Sequence, residues 1–201
     1  MMKTSIFGFF RQIMRKIIEV NENDGMRLRG HVEIEVKNKH GQVIDKFNAD
    51  NVILNIGKQK VTDAFISGNL NRIFRMAIGD DGAMTGDLLQ PKTPDATMTA
   101  LYHEVYRKDR GGYTVGTRQV LITADFNSAD VPNSSFINAG ARYINEAALV
   151  VGDGILGGPA IAAPALPDAD ESLFSIRCFK SIPFDAVDNI TITIRWTIFV
   201  Q

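Results

Sequence analysis

What this 201-residue chain has little of narrows its chemistry first. It carries one cysteine, Cys178, which excludes an internal disulfide and a cysteine-based zinc site. That cysteine sits in an apolar, strand-like run at residues 173–179 and reads as a buried thiol, the usual setting of a free cysteine. The three histidines, His31, His40 and His103, are scattered, and no pair has the close spacing of a zinc-binding helix. No apolar run approaches the roughly 20 residues that a spanning helix needs. Nucleophile elbow, phosphate-cradling loop and dinucleotide fingerprint are all missing. A formal charge of −1 argues against wholesale nucleic-acid binding, which usually calls for a basic patch. These absences predict a non-enzymatic protein with no catalytic residues, no cofactor and no bound metal.

What is there is a strong β signal. In the last stretch, Ile190, Ile192, Ile194, Trp196, Ile198 and Val200 alternate with Thr191, Thr193, Arg195, Thr197 and Phe199. That period of two, in β-branched and aromatic residues, predicts a long strand with one buried face. A chain ending on such a strand should close a sheet, because a protruding apolar edge invites aggregation. Further upstream, Val32, Ile34 and Val36 alternate with charged residues, Asn38-Lys39-His40-Gly41 makes a turn, and residues 43–47 return, which is a β-hairpin pattern. Residues 51–55 read as another short strand, 57–68 as a helix, and 72–78, 119–126, 145–151 and 174–179 as strands. Residues 101–107 fit either a helical turn or a strand. Seven to nine strands with one or two short helices predict a mainly β fold, an antiparallel β-sandwich of jelly-roll-like type spanning residues 26–201, with long loops at 79–97 and 152–172.

Residues 1–25 differ from the rest. Six basic residues against three acidic ones give residues 1–30 a charge of +3, which leaves −4 for the remainder. Ile6, Phe7, Phe9, Phe10, Ile13, Met14, Ile17 and Ile18 recur at helical spacing among Arg11, Arg15 and Lys16. A secretory leader has an uninterrupted apolar core and a small-residue cleavage site, and this segment has neither. It reads as an amphipathic docking arm in which Phe7, Phe10, Arg11, Ile13, Met14, Arg15 and Ile17 bind a protein partner. Membrane-surface binding is the competing reading of a basic amphipathic helix; with no other membrane feature in the chain, no membrane partner is expected.

Several residues invite chemical readings and each has a plainer one beside it. Gly79-Asp80-Asp81-Gly82 followed by Asp87 suggests calcium, but lacks the alternate-position ligands and closing glutamate of an EF-hand, and these are ordinary turn residues. Glu104 with Asp109, or Glu146 with Asp153, pair on paper as hydrolytic carboxylates, although only separation in space decides that chemistry. Tyr102, Tyr106 and Tyr113 are the aromatic candidates for a carbohydrate-binding module. The loop 152–172 is almost without charge between residues 155 and 167. Contiguous apolar surface tends to mark contact sites, so Ile155, Leu156, Ile161 and Leu166 are expected in an oligomer contact, against the plainer reading of a loop folded over its own core.

Several short pieces occur in a suggestive order: Gly30-His31-Val32-Glu33-Ile34-Glu35-Val36, then Asn51-Val52-Ile53-Leu54-Asn55-Ile56-Gly57-Lys58 leading into a helix. They continue with Met76-Ala77-Ile78-Gly79-Asp80-Asp81-Gly82, Leu101-Tyr102-His103-Glu104-Val105-Tyr106-Arg107, Ile144-Asn145-Glu146-Ala147-Ala148-Leu149 and Phe179-Lys180-Ser181-Ile182-Pro183-Phe184. From about Gly30 to Gln201, the arm and the 152–172 loop apart, this order resembles a type of tailed-bacteriophage virion structural protein associated with tail fibre, baseplate or collar. The resemblance implies a virion location after assembly in the host cytoplasm, a homo-oligomer, and tail, portal or capsid proteins as partners. A capsid decoration or cement protein is the alternative within that class.

Overall fold

The alternating residues from Leu28 onward form a hairpin of β1 (Leu28–Lys37) and β2 (Val43–Ile53) in the computed structural model, which describes residues 27–67, 72–152, 161–162 and 171–201. The single helix among the described residues, α1 (Asn55–Ser67), follows directly. Then come β3 (Arg72–Gly79), β4 (Ala83–Met84), β5 (Asp87–Pro91), β6 (Glu104–Asp109), β7 (Gly112–Val115), β8 (Gln119–Asn127), a 3-10 turn (Asn133–Ser135) and β9 (Tyr143–Gly152). The two-residue β10 (Ile161–Ala162), β11 (Ser172–Pro183) and β12 (Thr191–Val200) complete the order. Ten of these strands make one antiparallel sheet, ordered β10-β6-β3-β9-β11-β2-β1-β12-β8-β7, and β4 with β5 forms a separate hairpin.

The continuity of β2 makes one sheet out of what would otherwise be two. Its residues 43–51 pair with β1, whereas Val52 and Ile53 pair with Ile176 and Ser175 of β11. The sheet curls, so that one apolar cluster draws on both halves. Val32 and Ile34 of β1, Ile194 and Trp196 of β12 and Phe126 of β8 join Met76 and Ile78 of β3 and Leu149 of β9 there. The opposite face of β3, β9 and β11 supplies a second cluster, with Ala77, Ala148, Val150 and Ile176, over which Ile56 of α1 and Met98 pack. β9 is therefore buried on both faces.

β12 behaves as its alternation predicts. Ile192, Ile194, Trp196 and Ile198 are buried, and only Val200 at the end of the strand is open to solvent. The strand is hydrogen-bonded on both sides, to β1 and to β8, so the best apolar strand is no edge. Other expectations need correction. Residues 51–55 are not a separate strand: 51–53 continue β2, and α1 starts at Asn55 instead of Gly57. The segment 79–97 is not one loop, because the turn at residues 85–86 lets β4 and β5 pair. Residues 101–107 resolve into a strand from Glu104, and the four-residue β7, too short to show a period, was not anticipated. Twelve strands thus replace the expected seven to nine among the described residues. No helix among them is long and apolar enough to cross a membrane.

Full burial of an Ile or Leu side chain contributes on the order of 1.5–3 kcal/mol, and truncation in a packed core adds the cost of a cavity. Ile194→Ala should therefore lower the unfolding free energy by about 2–5 kcal/mol in denaturant titration. Thr197→Ala, on the opposite face of the same strand, should cost under about 1 kcal/mol. Equal costs at the two positions would contradict the assignment of the buried face.

Candidate functional site

An apolar strand that contains a glutamate has to satisfy it. Glu146 lies in β9, opposite Gly79 of β3 and Cys178 of β11, and is fully buried. Its carboxylate accepts hydrogen bonds from the backbone N–H groups of Tyr102 (2.9 Å), His103 (2.8 Å) and Asp81 (3.4 Å). One side chain thereby ties the segment after β3 to the segment before β6. Its neighbour Asn145 does the same work with an amide. Asn145 Oδ1 accepts from the Gly82 N–H at 2.6 Å, and Nδ2 donates to the Asp80 carbonyl (3.2 Å) and to Ser181 Oγ (3.1 Å).

Glycine is required twice here for space, without any left-handed backbone. A Cβ on Gly79 would stand 2.4 Å from the His103 carbonyl oxygen and 2.5 Å from Glu146 Oε1. On Gly82 it would stand 2.5 Å from the Asn145 carbonyl oxygen. Close approach of backbone to a buried polar group is a standard use of glycine.

The aspartates read from sequence as a calcium candidate have protein partners. Asp80 Oδ1 lies 2.5 Å from His103 Nδ1, and Oδ2 accepts from the Ile137 N–H at 2.8 Å. Asp81 pairs with Lys92 at 2.9 Å, and that ammonium sits 4.4 Å from the centre of the Tyr102 ring. Asp87 accepts from the Leu89 N–H, capping its own turn. Among the described residues no group of three His, Cys, Asp or Glu side chains converges on a possible metal position.

Burial pushes Glu146 up to about 7, with the three amides pulling the other way. The Cys178 thiol is pushed up to about 12 by burial, reinforced by the nearby Glu146 charge, so it is a poor nucleophile.

A second buried polar group joins β3, β6 and the start of β11. Glu171 is almost fully buried between Arg75 (2.8 Å) and Arg107. Arg107 also forks onto both oxygens of Glu104, at 2.5 and 2.6 Å, and Arg75 reaches Asp109 at 3.3 Å. Glu104 and Asp109, paired on paper as hydrolytic carboxylates, are thus each bound to an arginine.

The remaining sequence candidates separate. Phe7, Phe10, Arg11, Ile13, Met14, Arg15 and Ile17 lie outside the described residues, as do Ile155, Leu156, Leu166 and Asp153. Ile161 falls in β10, whose backbone pairs with Arg107 and Tyr106 of the same chain. The tyrosine trio divides: Tyr106 is in the core edge-on to Phe126, Tyr102 is half-exposed under Lys92, and Tyr113 lies on β7 beneath Arg110. Sequence reasoning missed the Arg75–Glu171–Arg107 group and the clamp function of Glu146. The signal for the clamp was present, since Asn145 and Glu146 interrupt an otherwise apolar strand. The chain matches no protein-family model, and no curated protein matches it.

The arrangement pins loops to the sheet. Because burial raises Glu146 above its ordinary 4.5, its contribution to stability is fully present below about pH 4.5 and lost as pH rises through about 7. Glu146→Gln removes this titration and turns a donor toward one of the amides, so it should destabilise by about 1–3 kcal/mol at neutral pH. The stability advantage of the wild type over Glu146→Gln should be larger at pH 5 than at pH 8, by up to about 3 kcal/mol. Urea unfolding of both proteins across that range checks the sign; an advantage that grows with pH would mean that the carboxylate is held ionised.

Proposed function

We propose that the chain is a non-enzymatic structural protein of a bacteriophage virion. It assembles as a homo-oligomer on the tail, baseplate or collar through the N-terminal arm and the apolar 152–172 loop. In this reading the curled sheet is a jelly-roll-like β-sandwich, its two halves closed over one core and hinged on β2. The observation that carries the proposal is the convergence at Glu146. Three separated segments that carry the virion-protein resemblance, 76–82, 101–107 and 144–149, are held together by one buried carboxylate and one buried amide. The polar groups of those segments are committed to fastening loops to a sheet, which is what a rigid scaffold needs.

The two buried arginines serve the same end, joining β3 and β6 to the start of β11 at the root of the apolar loop. A capsid decoration protein is the variant of this proposal with a different address. The carbohydrate-binding reading loses support from Tyr106, whose ring is a core residue.

Antibody raised against the chain should co-sediment with purified virions and decorate one site at a fixed copy number, tail or head telling the two addresses apart. Ile13→Asp with Ile17→Asp should keep the fold but leave the protein off the particle. Recovery of the wild type only in the soluble fraction of the infected host, with none in virions, would overturn the proposal.

A further inference from the structure

β2 changes partner between one residue and the next, and the change leaves buried polar side chains to be satisfied. Its ladder with β1 ends at Asn51 opposite Gly30, and its ladder with β11 consists of Val52 opposite Ile176 and Ile53 opposite Ser175. From Asn51 back toward Val43, side chains instead of backbone pairs join β2 to β11. Arg177 Nη1 donates to the Asp50 carbonyl at 2.9 Å, the Phe47 and Phe179 ring centres stand 5.2 Å apart, and Lys180 meets Asp45 at 2.6 Å. The two strands thus fork, with room between their backbones for side chains.

Register puts three polar residues on the core-facing side of this fork. Asn51 is opposite Gly30, two residues from Val32; Ser175 is opposite Ile53 and Leu149; Arg177 is opposite Ala147. Val32, Ile53, Ala147 and Leu149 all belong to the main apolar cluster. Asn51 Oδ1 and Nδ2, Ser175 Oγ and Arg177 Nε are shielded from solvent and have no hydrogen-bond partner among the described residues. Ser175 is fully buried. Gly30 shows how the amide lies: a Cβ there would stand 1.8 Å from Asn51 Oδ1 and 2.5 Å from Nδ2, so the amide rests across the β1 backbone in space that any other residue would fill. The Arg177 guanidinium is held beside it, because the carbonyl it meets belongs to the peptide bond leading into Asn51.

Buried donors and acceptors are paired with protein or with water, since a bare one forfeits its hydration. We infer that the fork is a binding site for ordered water, which links β2 to β11 where the backbone ladder stops. The inventory balances. Arg177 Nε–H and the Asn51 amide N–H groups donate, and Asn51 Oδ1 and Ser175 Oγ accept. One water cannot bond well to both ends of a single amide, so two waters are needed. Each accepts from one nitrogen and donates to one oxygen, and a bond between them brings each to the three or so partners usual for buried water. An amide flip exchanges the ends of Asn51 without changing the count. A metal cation would be repelled by the guanidinium, an anion would face Asn51 Oδ1, and an apolar group would leave every one of these atoms bare. The inference is independent of the virion reading.

Oxygen-17 relaxation dispersion on the full chain tests it by counting waters held for longer than the molecule tumbles. Ser175→Ala, which deletes one oxygen from the site, should lower that count by one. Adding Asn51→Leu should lower it by a further one. Ser175→Ala decides the matter even where the double variant does not fold. An unchanged count in folded Ser175→Ala would overturn the inference. So would a crystal structure in which a protein group, or a solute other than water, bonds to Asn51, Ser175 and Arg177 at this position.

Discussion

β9 has no face left for water, and most of the architecture follows from that. A strand covered on both sides must be apolar or must bring its polar groups to partners, because an unpaired buried polar atom costs about 1–3 kcal/mol and an unpaired charge more. Asn145 and Glu146 stand at the start of this strand, and their partners are backbone amides of the segments at 81–82 and 102–103. The glycines at 79 and 82 are then forced, since any side chain would occupy the space of the bonds themselves. So is the course of both loops, which cannot leave without stranding a buried carboxylate. The clamp is a consequence of burying β9 as much as a cause of the fold's order.

A second constraint acts at β2, which belongs to both halves of the sheet. Its first nine residues answer to β1 and its last two to β11, so the curl of the sheet is transmitted along one unbroken strand. That places the terminal strand in the interior of the order, where its apolar face meets the faces of β3 and β9 across the core. The two ends of the ten-strand order are short strands, the four-residue β7 and the two-residue β10. Short edge strands are a common defence against edge-to-edge aggregation.

How far the sequence foretold this depends on the length of the pattern available. β12 and the β1–β2 hairpin were legible because alternation over many residues has no helical counterpart, and Cys178 was rightly placed in the core. β7, β4 and β5 were illegible because two to five residues carry no period; what makes them strands is the neighbour they pair with. The acidic run at 79–82 looked like a ligand set because composition cannot show that Asp80 and Asp81 face His103 and Lys92. Tyr106 was grouped with two other tyrosines by proximity in sequence, whereas β6 turns it inward. The buried pairing of Arg75 and Arg107 with Glu171 joins residues 96 and 64 positions apart, and no local reading reaches that far.

The outer surface of the β2-β1-β12 region shows where contacts are not made easily. Glu33 and Glu35 each take both Lys46 and Arg195, with the Arg195 contacts at 2.8 Å, and these hydrogen bonds hold both carboxylates below the usual range. Each such pair is worth little to stability, because solvent screens it. As a surface, however, the ladder is closed: its charges are matched within the chain, and a charged partner would have to break pairs to gain pairs.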